Sequence, residues 1–513
     1  MDRGTKLDHQ LIGNVLFNFL GQFYALVLGF AVVPYVVHRI GPGLYGVLVM
    51  VATMGGFGAM LNLGMGNALT KYISEYQWNQ DFDGIRSLFQ AALAVCLLAG
   101  TVFFVLLVSL KGKLGTLLFH GEASAELVVD LALWIAGCGF LLSAVTEAFS
   151  AVPLGLQRFD IYNRISILTS TVRNLGMVLV LALGWHVKAV LLAYFFSGLL
   201  SLLGYAYYAR RLIVGLRLRP RFVWSDVKQL VRYSAWVLLA GLTSLVVHRV
   251  DRVLVAYYLP ISAVAFYAVP SMLAEKTATG VGNVTSVIFP STSELSAMKA
   301  AERLRELYVR ATKVVILAGL PVTAILLALP SQVLRWWVGP DFAARGALPL
   351  QLLAAGFMFN ILGHVPFVVS QGIGRPAVSA RYSLLNALIN LAFFLVLIPR
   401  YGIAGAAGGF LLSEALVMPA FIWETNRVLS VSWFSLISRA YLRPFACGLT
   451  AFGILCALKP YTNSLPRLIA CCAVGGVIYA LLAFVAAIDT RERVGIYEQA
   501  VSVLHLVRGA VDV

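Results

Sequence analysis

Apolar runs of about 20 residues recur along the chain, separated by short polar breaks, and this is the length of helix that a bilayer's hydrocarbon core requires. The pattern predicts about fourteen membrane-spanning helices. They fall at 13–37, 44–68, 87–110, 127–152, 161–184 and 189–209, then at 231–259, 262–290, 311–329, 346–370, 380–399, 403–425, 441–458 and 465–488. No gap between them reaches the roughly 50 residues that a soluble domain takes, so any function must be housed in the membrane. Pro34, Pro270, Pro321, Pro366 and Pro419 interrupt apolar runs, and glycines crowd Gly55–Asn67 and Gly402–Phe410, so kinks and close helix approaches are expected there.

Composition agrees with the pattern. Of 513 residues, 60% are hydrophobic and 12% charged, and the mean hydropathy is +0.86, which defines an all-α polytopic membrane protein. The net charge of +16 is read through its distribution. With the N-terminus in the cytoplasm, roughly 26 Lys and Arg fall on cytoplasmic segments and roughly 9 on the opposite side, so the positive-inside rule puts both termini inside. The densest basic run, Arg210–Arg232, reads as a cytoplasmic linker on anionic headgroups rather than a nucleic-acid site. All six cysteines (Cys96, Cys138, Cys447, Cys456, Cys471, Cys472) lie in apolar spans without metal-ligand spacing and read as small core residues. The first span is too long for a signal peptide and is expected to persist.

The span from Tyr233 to Pro260 stands out, because it carries His248-Arg249-Val250-Asp251-Arg252 beyond its midpoint. At 100° per residue the ionisable groups sweep one side and Val246, Val247, Val250, Val253 and Leu254 the other. Ionised groups facing lipid are expensive, so this side is expected to line a polar cavity; the alternative is that Arg252 snorkels to the interface with Asp251 as its partner.

The two halves also repeat, at an offset of 213 to 222 residues. Val152-Pro153 matches Val365-Pro366, Arg164 matches Arg381, Asn174 matches Asn390, Gly184 matches Gly402, Tyr45 matches Tyr267 and Glu75 matches Glu294. The expected organisation is a six-helix N-lobe (1–210), the linker (211–230), a six-helix C-lobe (231–427), and helices thirteen and fourteen with a short tail (428–513). With an even number of spans per copy, the lobes should be related by an axis along the membrane normal. No phosphate-cradling glycine motif or Ser/His/Asp set is present and the seven histidines are scattered, so the chain reads as a non-enzyme.

Arg39–Tyr76 (RIGPGLYGVLVMVATMGGFGAMLNLGMGNALTKYISEY), Val250–Leu273 (VDRVLVAYYLPISAVAFYAVPSML) and the segment 365–427 resemble the polysaccharide transporter (O-antigen flippase, Wzx-like) family of the multidrug/oligosaccharidyl-lipid/polysaccharide exporter superfamily. The resemblance implies two six-helix lobes around a central cavity in a bacterial inner membrane, moving an undecaprenyl-diphosphate-linked oligosaccharide outward by alternating access. A peptidoglycan-precursor flippase and a multidrug exporter of the same superfamily are the alternatives, with a membrane glycan polymerase or glycosyltransferase further off. The partners implied are the lipid-linked glycan, membrane lipids and a polymerase or export machinery; no nucleic acid and no cofactor are implied beyond a coupling H+ or Na+.

Such a substrate needs cations for its diphosphate. Arg173 and Lys276 lie near the middle of their spans, too deep to snorkel, and with Arg249 and Arg252 are the candidates for substrate binding, the alternative being buried ion pairs such as Lys276 with Asp251 or Glu147. Asp251, Glu414, Glu147 and Glu275 are candidates for ion coupling or for charge balance. Tyr24, Phe266 and Tyr267 are candidates for the sugar path, whereas Tyr257 and Tyr258, just before Pro260, read as interfacial anchors. Asn14, Asn18, Asn62, Asn67, Asn360, Asn386 and Asn390 read as interhelical hydrogen-bonding amides or cavity lining.

Overall fold

The structure, a computed structural model, describes residues 3–61, 64–119, 126–216, 218–285 and 288–488. The described residues are helical, without strands, as hydrocarbon demands when every backbone N–H must be satisfied within its own segment. In chain order the helices are α1 (Arg3–Leu61), α2 (Met65–Trp78), α3 (Phe82–Ser109), α4 (Lys111–Phe119), α5 (Glu126–Gly155), α6 (Phe159–Ala182), α7 (Val187–Leu212), α8 (Trp224–His248) and α9 (Val250–Tyr258). They continue as α10 (Ile261–Thr285), α11 (Ile288–Ala297), α12 (Ala301–Ala328), α13 (Pro330–Trp337), α14 (Pro340–Gly372), α15 (Pro376–Leu429), α16 (Trp433–Leu436), α17 (Leu442–Leu458) and α18 (Leu465–Leu482). Ten helical stretches among the described residues are long and apolar enough to cross a membrane. The expected spans are accounted for once α1 and α15 are each divided at their kinks and α8–α9 and α10 are added. The kinks fall at glycines: helical dihedrals fail at Gly41 (φ 77°) and Gly402 (φ 60°), a region where a Cβ is strained.

The chain forms two compact units. The first holds Met1–Ala268 and Phe394–Ile403. Its core joins Leu69 and Ile73 of α2, Leu88 and Phe89 of α3, Phe140 and Phe149 of α5, Ile165 of α6 and Tyr205 of α7. The Phe89 and Phe149 rings meet edge-on at 5.1 Å, and Phe103 stacks on Phe140 at 3.9 Å. Within the basic segment 211–230, expected to lie on headgroups, Ile213, Leu216, Val227 and Leu230 are buried in this core, while Arg211, Arg219, Arg221 and Lys228 stay exposed.

Gly46 of α1 marks the tightest approach in this unit, for a Cβ there would sit 2.2 Å from the backbone oxygen of Ile261. Backbone cannot yield as a side-chain tip does. Gly46→Ala is therefore expected to destabilise the protein by about 1–3 kcal/mol, read as a lower thermal midpoint in detergent; an unchanged midpoint would contradict this packing.

The second unit holds Val269–Phe393 and Ala404–Val513. Here α12 packs on α14 and α17, and α18 packs on α17. Ala324, Ala328 and Leu329 meet Leu455 and Leu468, and the Tyr479 hydroxyl donates to the Leu317 carbonyl at 2.9 Å. Helices α17 and α18 are thus fastened to α12, with Leu449, Ile469, Val477 and Leu481 left exposed on their outer faces. Cys96, Cys447 and Cys471 are buried free thiols, whereas Cys456 is exposed rather than in a core.

Matched positions of the repeat have like environments. Gly184 and Gly402 both take positive φ; Val152 and Val365, Tyr45 and Tyr267, and Asn174 and Asn390 are all buried.

Candidate functional site

The span singled out by the sequence is broken, not continuous. Helix α8 stops at His248, Arg249 turns out of helical geometry (φ −138°, ψ −31°), and α9 starts at Val250. A helix start leaves N–H groups unpaired and favours negative charge, and Asp251 sits in that first turn. Its Oδ1 accepts from the Arg252 amide at 2.8 Å and its Oδ2 accepts from the Tyr267 hydroxyl of α10 at 2.7 Å. Asp251 and Arg252 are buried, and of the opposite, apolar face Val247 is buried while Val246, Val250, Val253 and Leu254 are half-buried. Asp251 ties α9 to α10. Arg252 lies within electrostatic reach of the Tyr45 phenol, and Arg249 is half-buried at the break.

Phe266 and Tyr267, expected along a sugar path, are instead packed inside this unit at 4% and 1% exposure, with the Tyr267 hydroxyl committed to Asp251. Tyr257 and Tyr258 are exposed side by side, rings 4.8 Å apart, as anchors would be. Glu147 of α5 is half-buried against α2, close enough that a Cβ on Gly66 would stand 2.7 Å from its carboxylate oxygen.

Arg173 of α6 is half-buried, and its guanidinium lies 6.0 Å from the Tyr194 ring of α7. No carboxylate pairs with it among the described residues. Two residues earlier, Thr171 shares a 3.0 Å hydrogen bond with the exposed Tyr24 of α1. Positions 171 and 173 stand about 200° apart around a helix, so the Tyr24 contact and the Arg173–Tyr194 pair occupy opposite sides of α6. Tyr194 escaped the sequence reading, because only α6–α7 packing reveals its ring.

In the second unit, Lys276 of α10 is exposed. Its neighbour Glu275 is half-buried. The tightest polar group in this unit surrounds Glu414, which is fully buried in the second half of α15. Its Oε1 accepts from Asn386 Nδ2 at 3.0 Å and from Asn360 Nδ2 at 3.2 Å. His364 Nε2 lies 3.3 Å from Asn360 Oδ1. Glu414 Oε2, Asn386 Oδ1 and both amide atoms of the fully buried Asn390 have no hydrogen-bond partner among the described residues. Such orphaned polar atoms are uncommon in the interior of a protein. The interhelical role expected of Asn360 and Asn386 is what they perform; His364 was missed, though its i, i+4 spacing from Asn360 on α14 parallels that of Asn386 and Asn390 on α15. Asn62 lies outside the described residues, as do the side chains of Asn14 and Asn18.

The comparisons with known proteins fit this architecture. The family model described as polysaccharide biosynthesis protein matches residues 11–296. A Shigella flexneri protein described as a candidate O-antigen transporter is 23% identical over 424 residues, covering 82% of this chain and 99% of that one. Among solved structures, the lipid II flippase MurJ in an inward closed conformation matches with a TM-score of 0.73 at 12% identity, over 91% of this chain and 98% of that one. An inward-facing multidrug resistance MATE family transporter of the MOP superfamily matches with a TM-score of 0.66 at 17% identity, over 80% and 94%. The fold is therefore shared with these solved transporters, and the chain belongs to the polysaccharide biosynthesis protein family.

Proposed function

We propose that the protein is a bacterial inner-membrane flippase that moves an undecaprenyl-diphosphate-linked oligosaccharide from the cytoplasmic to the outer leaflet by alternating access. The observation that carries this reading is Arg173, an intramembrane guanidinium with an aromatic neighbour and no carboxylate partner among the described residues. A planar fork of donors suits diphosphate oxygens, and the Tyr194 face beside it suits a sugar. Arg249 and Arg252 are further cations of the first unit, and Lys276, exposed at mid-span, is the candidate cation of the second. The similarity to a candidate O-antigen transporter, and in fold to a lipid II flippase, supports a lipid-linked saccharide as cargo. In this reading the polyprenyl tail stays in lipid while the diphosphate and glycan are sheltered from it. The protein acts without covalent catalysis, and its partners are the lipid carrier, the surrounding lipids and the polymerase or export machinery that takes up the product.

Coupling is assigned to the Glu414 cluster. A buried carboxylate with one unsatisfied oxygen is costly unless something pairs with it, and a proton or Na+ held among Glu414, Asn386 and Asn390 would do so.

Arg173→Ala and Lys276→Ala are expected to reach the membrane in normal amount and to cut glycan export about tenfold or more each, since a hydrogen bond to a charged group contributes about 1.5–3 kcal/mol and about 1.4 kcal/mol is a factor of ten. Export assayed in a strain carrying only the variant gene checks this. Wild-type export by either variant would remove that residue from substrate binding.

A further inference from the structure

A second polar site lies at one end of the second unit, away from the Glu414 cluster along α15. A pocket of about 420 Å³ is lined by Arg375, Arg381, Trp423, Glu424, Arg427 and Val428. The turn that enters α15 places Gly374 at φ +74°, with Arg375 the next residue and the helix cap. The opposite wall is the end of α15, which is held rigidly: Asn426 Oδ1 accepts from the Tyr308 hydroxyl at 2.9 Å, and the Leu429 carbonyl accepts from Arg305 Nε at 2.8 Å.

The charges are not balanced within the pocket. Glu424 is spent on Arg381, with which it pairs, and on the Tyr382 hydroxyl at 3.0 Å. Arg427 has only the Trp423 ring, 6.0 Å from its guanidinium carbon, and Arg375 has no side-chain partner among the described residues. Two forked cations therefore converge on a cavity that has one neutralised carboxylate, an arrangement suited to phosphate oxygens.

The surface below the pocket identifies what carries the phosphate. At 100° per residue, Leu412, Leu416 and Trp423 fall on one face of α15 with Arg427 at its end, and all three apolar side chains are exposed. Leu384, Leu385 and Leu388, likewise exposed, share the face of Arg381 on the first half of α15. Two leucine strips thus run along α15 away from the pocket, and Trp423 at its edge is the kind of ring that settles at bilayer interfaces. A free anion has no use for these strips; acyl chains do. The arginine-rich end is also the side that the Lys and Arg distribution marks as cytoplasmic, where anionic lipids gather.

We propose that this pocket is a binding site for the phosphate headgroup of an anionic phospholipid of the cytoplasmic leaflet, with its acyl chains laid along the exposed leucines of α15. The site is separate from the proposed substrate and coupling residues.

The test uses the full chain purified in detergent and titrated with phosphatidylglycerol, with phosphatidylcholine and with inorganic phosphate, read by native mass spectrometry. Phosphatidylglycerol is expected to be retained, and Arg375→Gln with Arg427→Gln is expected to weaken it about tenfold or more, since two charged contacts are lost. Both side chains are exposed, so folding should survive. Independently, brominated phosphatidylglycerol is expected to quench wild-type tryptophan emission more than that of Trp423→Phe. Equal retention of phosphatidylcholine, unchanged affinity in the double variant, competition by millimolar phosphate to full displacement, or equal quenching with and without Trp423 would each overturn the proposal.

Discussion

Glu414→Gln is expected to fold, insert and bind substrate, yet to export glycan at a rate that no longer responds to the ion gradient across the membrane. Glutamine keeps the shape of the side chain and an oxygen to accept from Asn386 and Asn360 at the positions now 3.0 and 3.2 Å from Glu414 Oε1. What it loses is the ability to take up and release a proton, or to hold a cation by charge. A gradient imposed on proteoliposomes, with export followed in wild type and variant, separates the two. Retained gradient dependence in the variant would remove Glu414 as the coupling group. Glu414→Ala differs in kind, because it strands the buried Asn386 amide donor at about 1–3 kcal/mol and the half-buried Asn360 donor with it, so its loss of export should come with a lower thermal midpoint.

Asp251→Ala is expected to have the largest effect on the first unit. The carboxylate accepts from Tyr267 at 2.7 Å and from the first turn of α9 at 2.8 Å, both within the buried interior. Removing it leaves the Tyr267 hydroxyl buried without its acceptor, at about 1–3 kcal/mol, and takes negative charge from a helix start that favours it by about 0.3–1 kcal/mol. The thermal midpoint should fall clearly, and export with it. Tyr267→Phe gives the control: if Asp251 acts by fastening α9 to α10, that variant should show the same sign with a smaller loss. A normal midpoint for Asp251→Ala would contradict the structural role and return the residue to the transport pathway.

Much of the architecture was legible in hydropathy. Apolar length reports a span directly, and the glycine-rich run that opens at Gly402 pointed to a kink that the structure contains, with positive φ there. The break at Arg249 was not legible, because neither glycine nor proline marks it. It is stabilised by Asp251 reaching Tyr267 on the next helix, a tertiary contact that periodicity along one helix does not encode. The same limit hid the partners of Glu414: its burial could be read from its mid-span position, but Asn360 and Asn386 reach it from other segments, with His364 behind Asn360. Tyr267 and Phe266 were misread for the converse reason, since aromatics suited to sugars are equally suited to packing.

The arginine pocket shows where charge counting falls short. Arg375, Arg381 and Arg427 are ordinary cytoplasmic-side cations by sequence, and only the folding of α15 back at Gly402 brings its two ends together. The exposed leucines beside them then acquire a meaning that single exposed apolar residues lack.

The most direct test of the proposed function is the sidedness of the lipid-linked glycan in a strain lacking the gene. Radiolabelled sugar precursors reveal the product, and a membrane-impermeant probe scores its exposure on the outer leaflet. The flippase account predicts that the lipid-linked unit forms, stays on the cytoplasmic leaflet, and becomes exposed again when the gene is restored but not when Arg173→Ala replaces it. Normal exposure of the lipid-linked unit without the gene, particularly alongside altered drug sensitivity, would contradict the account and favour a multidrug exporter.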